Sequence, residues 1–174
     1  ASGLHNATLA SATLSITGGF RAAEDMLAFV NDAATMGNIT ASYNAATGVL
    51  TLASAGATAT QAQWQAALRA VTYLNTSENP DTTTRTVSFV VNDGTINSAG
   101  STQTVSVAAV NDAPLVATSG GTTAFTEGNG VPSVPLAVDA AITVMDLDSA
   151  ALASASVSIT GGFQAAEDML AFVN

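Results

Sequence analysis

The residues of this chain with the most chemical capacity are oxygen donors, and they are unevenly spread. Met145-Asp146-Leu147-Asp148-Ser149 places two carboxylates two residues apart. On an extended segment side chains alternate, so both carboxylates point to one side. Upstream lie Thr126-Glu127-Gly128 and Val110-Asn111-Asp112-Ala113-Pro114. Asp146, Asp148, Glu127 and the Asn111-Asp112 pair together could supply the roughly six to eight oxygens that calcium takes. Without a cation these like charges repel one another. The plainer alternative is that such Asp and Asn residues cap solvated turns, but their clustering favours a metal. Asn92-Asp93-Gly94 is read as an ordinary hairpin turn.

Other chemistries lack their parts. A Ser-His-Asp triad would have to use His5, the single histidine, in a segment with no nucleophile-elbow sequence, and is not expected. With one histidine and no cysteine, neither is a zinc site. Glu24-Asp25 could imitate a glycosidase pair, but adjacent residues on a strand diverge. The expectation is therefore a protein that is not an enzyme. Trp64 could stack on a sugar, yet its place on a helical apolar stripe assigns it to a core.

Charge narrows the partners. Thirteen carboxylates face three cations, Arg21, Arg69 and Arg85, for a formal charge of -10. That balance repels phosphate backbones and anionic lipid, and suits divalent cations. No stretch approaches the roughly 20 apolar residues that span a bilayer.

The elements that must position the donors follow from a repeat. Residues 9–31, LASATLSITGGFRAAEDMLAFVN, return at 152–174 as LASASVSITGGFQAAEDMLAFVN. The offset, from 9 to 152, is 143 residues, and only Thr13/Ser156, Leu14/Val157 and Arg21/Gln164 differ. A repeat of this kind signals a tandem array. The phase predicts a repeat lacking its first strand or strands over residues 1–113, followed by the opening half of the next over 114–174. An incomplete sheet exposes edges and apolar faces that a neighbour must cover. Glu167 and Asp168, copies of Glu24 and Asp25, join the candidate metal ligands.

Strands are expected at 12–17, 26–30, 38–44, 49–54, 71–74, 84–92 and 102–110, from alternation and turn residues. Gly48 suits a left-handed hairpin position. Thr60-Gln61-Ala62-Gln63 forms a capping-box sequence opening a helix to about residue 70, with Trp64, Leu68 and Val71 on its stripe. The fold class expected is all-β, a Greek-key antiparallel β-sandwich with one short helix.

The motifs AVNDAPL (109–115), FTEG (125–128), MDLDSA (145–150), SYNAATGVLTL (42–52), QWQAALRAVTYLNTSENP (63–80) and TRTVSFVVNDGT (84–95) cover most of the chain. Together they resemble cadherin-like tandem repeats of large bacterial surface proteins, including extender repeats of repeats-in-toxin adhesins. The resemblance implies a cadherin/Ig-like sandwich and Ca2+ stiffening each junction. It makes Asn111 and Asp112 linker ligands, Glu127 a strand-base ligand, and Asp146 with Asp148 a bidentate-capable pair. It implies a structural or adhesive protein, extracellular or at the cell surface, whose partners are neighbouring repeats or copies of itself joined head to tail. The alternative is a carbohydrate-binding module of an adhesin or polysaccharide-degrading enzyme. One departure stands out: by the 143-residue offset, Gly3 and His5 replace Asp146 and Asp148. Either the first copy is calcium-poor upstream or its first residues have another origin.

Overall fold

A computed structural model describes residues 8–172, so Gly3 and His5 lie outside the described residues. The chain divides into two compact units, Ala1–Asn111 and Asp112–Asn174. The first carries β1 (Ser11–Gly18), β2 (Asp25–Ala28), α1 (Ala33–Met36), β3 (Ile39–Asn44), β4 (Val49–Ser54), α2 (Gln61–Arg69), β5 (Thr72–Asn75), β6 (Arg85–Asn92) and β7 (Ser101–Val105). The second carries β8 (Leu115–Ala117) and β9 (Thr143–Met145). The protein is thus mostly β, with antiparallel sheets and two short helices.

Alternation explains the main sheet, whose order is β3-β4-β1-β6-β7. Along β1, Ala12, Leu14 and Ile16 are buried while their neighbours are less so. Leu50 and Leu52 on β4, and Arg85 and Val87 on β6, repeat the pattern. β1 is central: Leu14 pairs with Leu50 on one side and Phe89 on the other. A separate two-stranded sheet joins β2 to β5, with Leu27 opposite Tyr73. Leu27 belongs to the same core cluster as Leu14, Leu50, Leu52 and Trp64.

The turn between β1 and β2 needs glycine. Gly19 has φ +69, and a Cβ there would meet the Thr84 carbonyl oxygen at 2.6 Å. Gly48 holds φ 67 in the β3–β4 hairpin, as its left-handed role predicts. Helix α2 opens on the expected capping box: Thr60 Oγ1 accepts from Gln63 N at 3.2 Å, and Gln63 Oε1 accepts from Thr60 N at 2.8 Å. The expectation of one helix missed α1, which Asp32 caps by accepting from Ala34 N. Its sequence has no apolar stripe and none of its residues is buried. β7 ends at Val105, five residues short of the alternating run.

The second unit is different in kind. β8 and β9 pair antiparallel from Leu115↔Met145 to Ala117↔Thr143. None of its described residues is buried. Residues 152–172 form no strand among the described residues, although their counterparts build β1 and β2.

Candidate functional site

The predicted ligands fall into a gathered group and scattered members. In the second unit, Asp146 lies just after β9 and Asp148 two residues on. Asp146 Oδ1 accepts from the backbone N–H of Asp148 at 3.2 Å and of Ser149 at 2.9 Å, forming a tight turn. Asp148 Oδ2 accepts from Asp112 N at 2.9 Å. Three of the seven predicted residues therefore meet across 36 residues of sequence. The Asp112 N–H, then the Asp146 side chain, hold the Asp148 carboxyl below its ordinary range.

Glu127, Glu167 and Asp168 are exposed, and no hydrogen bond described links them to this group. Asn111 is exposed at the end of the first unit. Among the described residues, no three His, Cys, Asp or Glu side chains converge as a metal ion requires. The donors are all oxygens, the class that calcium takes, but Asp146 and Asp148 are arranged as a hydrogen-bonded turn.

A second constellation lies in the first unit, and sequence reasoning gave it no role as a unit. Asp25 and Leu27 occupy inward positions of β2, as Arg85 and Val87 do on β6. Asp25 is 3% exposed and Arg85 0%. The Arg85 guanidinium donates from Nε to Asp25 Oδ2 at 2.8 Å. It also donates from Nη1 to the carbonyls of Asp81, at 2.8 Å, and Thr83. Tyr73 Oη donates to Asp25 Oδ1 at 2.5 Å, Asn75 Nδ2 at 3.0 Å, and Arg21 N to Oδ2 at 2.8 Å. Tyr43 Oη reaches the Asp25 carbonyl at 2.9 Å. Arg85 Nη2 faces Glu24 Oε2 at 3.6 Å, an ion-pair distance too long for a hydrogen bond.

The electrostatics follow from these partners. Burial alone pushes the Asp25 carboxyl up, but Arg85, Tyr73, the Arg21 N–H and Asn75 outweigh it and hold it below 3.8. Burial, then the bond to Asp25, raises the Tyr73 hydroxyl above its ordinary 10.0. Asp81 is held well below the usual carboxylate range by Thr83 and Arg21. Four donors converge on one buried carboxylate whose counter-ion is a guanidinium. This ion pair, with the Tyr73 and Asn75 bonds to the same carboxylate, ties β2 and β5 to β6. The Glu24-Asp25 copy of the predicted ligand pair is thus engaged with Arg85. The signal for it was inward parity at Arg85, a charge at a buried-face position of an alternating strand.

Trp64 is 1% exposed and its Nε1 donates to the Leu9 carbonyl at 3.0 Å. It fills the core, as its helical stripe predicts, and offers no face to a sugar. Among the described residues, no helix is long and apolar enough to cross a membrane.

No family model, curated protein or solved structure matches this chain.

Proposed function

We propose that this chain is a structural or adhesive repeat of a secreted or surface-attached tandem-repeat protein, a spacer or head-to-tail fibre in which neighbouring repeats complete one another. One observation carries the reading. A segment and its near-copy 143 residues on differ in fate: the first is buried in a sheet, the second exposed. Leu14 is 0% exposed and Val157 74%, while Leu27 is 3% and Leu170 44%. A monomer seldom leaves such a run of apolar surface uncovered, so a neighbouring repeat is its natural cover.

In this reading the two sheets of the first unit close as a Greek-key sandwich of the cadherin/Ig-like type. Support comes from Leu27 of the small sheet, which shares a core with Leu14 and Leu50 of the large one. Calcium stiffens the junction, centred on Asp112, Asp146 and Asp148, with Asn111, Glu127, Glu167 and Asp168 completing the expected donor set. Support is the meeting of the first three through the Asp112 N–H and Asp148 carboxylate, with the excess of acids over cations. The role is non-catalytic, at the cell surface or outside the cell. The sugar-binding alternative loses its platform with Trp64 in the core.

Thermal melts with millimolar calcium and with excess chelator test the metal. Calcium should raise the melting temperature by several degrees, about what ligand linkage of 2–3 kcal/mol gives, and Asp146→Asn with Asp148→Asn should remove that gain. Superimposable melts in calcium and chelator would refute the calcium part.

A further inference from the structure

The near-copy at 152–172 matches a defined place in the first unit, the one held there by residues 9–29. In the first unit, residues 9–29 run between β4 and β6, turn at Gly18-Gly19, and return as β2 against β5. The copy preserves every buried apolar position of that path, with Ala155 for Ala12, Val157 for Leu14, Ile159 for Ile16 and Leu170 for Leu27. It also preserves Asp168 for Asp25, the carboxylate that Arg85 holds. Its turn is already formed. Gln164 N donates to Asp168 Oδ2 at 2.7 Å, as Arg21 N does to Asp25 Oδ2 at 2.8 Å. Gly162 has φ 70 where Gly19 has 69. Preformed geometry lowers the ordering needed on docking.

We propose that residues 152–172 of one copy of the chain take the place of residues 9–29 in the first unit of a second copy. They run as a strand between the second copy's β4 and β6 and set Asp168 against its Arg85. The inference rests on the reading that repeats complete one another, and names which segment fills which place. Exchange of an identical element is a common route to self-association, and here the incoming element is a near-copy of the one it replaces.

Two substitutions weaken the exchanged form. Val157 lacks one methylene of Leu14, and Gln164 cannot replace the Arg21 ion pair with Asp81. The resident strand also holds the advantage of being in the same chain, an effective concentration on the order of millimolar. Exchange is therefore expected at high protein concentration or on refolding from denaturant, with the closed form prevailing in dilute solution.

The chain has no cysteine, so engineered pairs report cleanly. In β1, Thr13 pairs with Val90 of β6, and Ser156 is the copy of Thr13. Full-length chains carrying Ser156→Cys and, separately, Val90→Cys are mixed, unfolded, refolded together at high concentration in chelator, and oxidised. The proposal expects a Ser156→Cys/Val90→Cys heterodimer and none from the mismatched pair Ser154→Cys with Ser88→Cys. Added Val157→Asp should abolish the heterodimer; this residue is exposed, so the first unit keeps its melt. Added Val157→Leu should raise the heterodimer roughly fourfold, the weight of one buried methylene. Homodimers alone, or equal yields from matched and mismatched pairs, would overturn it. Because the chelator is present throughout, a negative result here leaves the calcium melt to stand or fall separately.

Discussion

At the scale of single residues, Asp25 and Arg85 show how much context decides a side chain's part. Removing one member of a buried ion pair leaves the other uncompensated, which typically costs about 3–5 kcal/mol. Arg85→Ala should therefore lower the unfolding free energy of the first unit by about that amount in urea titrations. Asp168→Asn, the same chemistry at an exposed position, should change it by less than about 0.5 kcal/mol. Equal effects would show that the buried pair is not what holds β2 to β6. The individual charges were legible in the sequence; the inward position of Asp25 was not, because the strand was expected to begin one residue later, at 26. Nor was the meeting of Asp25 with Arg85, because 60 residues separate them and nothing local encodes that distance.

At the scale of elements, propensity and pairing part company. Most strands of the first unit, the Gly48 hairpin and the Thr60 cap were readable from alternation and turn chemistry, since those signals are local. The same alternation at 154–160 forms no strand. A strand is stabilised by cross-strand partners, and β1 has two where its copy has none among the described residues. Hydrogen exchange should read this directly. Amides of Ser11–Ile16 should be protected by orders of magnitude, whereas those of Ser154–Ile159 should exchange at near-unprotected rates in dilute solution. Protection at 154–159 at low concentration would contradict the open state. The expected acid cluster was legible only in part. The Asp148 carboxylate meets the backbone N–H of Asp112, and Asp146 accepts from the Asp148 N–H within its own turn, but no three acidic side chains converge among the described residues.

At the scale of the whole molecule, acid should unfold this protein readily. Asp25, Asp81, Asp93, Asp139 and Asp148 all have carboxyls held below 3.8 in the fold. A folded value below the unfolded one stabilises at pH above the unfolded value, and that stability is lost as pH falls through the folded one. The melting temperature should thus be nearly flat from about pH 7 to 5 and fall steeply below about pH 4. Acid also relieves the self-repulsion of a chain at -10, but exposed charges are screened, so loss of the buried pair should dominate. A melting temperature that rises on acidification below about pH 4 would reverse that ranking. The titration belongs mainly to the first unit, where the depressed carboxyl is buried with its guanidinium.

What the sequence by itself determined is what short stretches of chain can enforce. The Gly-Gly-Phe turn with its carboxylate folding back on the backbone takes the same form in both copies, because all its donors and acceptors lie within a few residues. The tertiary structure alone decided which copy became sheet. Leu14 finds Leu50 and Phe89 waiting, Asp25 finds Arg85, and burial with charge pairing makes that copy a core. Val157 and Asp168 carry nearly the same sequence without those partners, so hydrophobic and ionic gains that need long-range contacts are absent and the segment stays open.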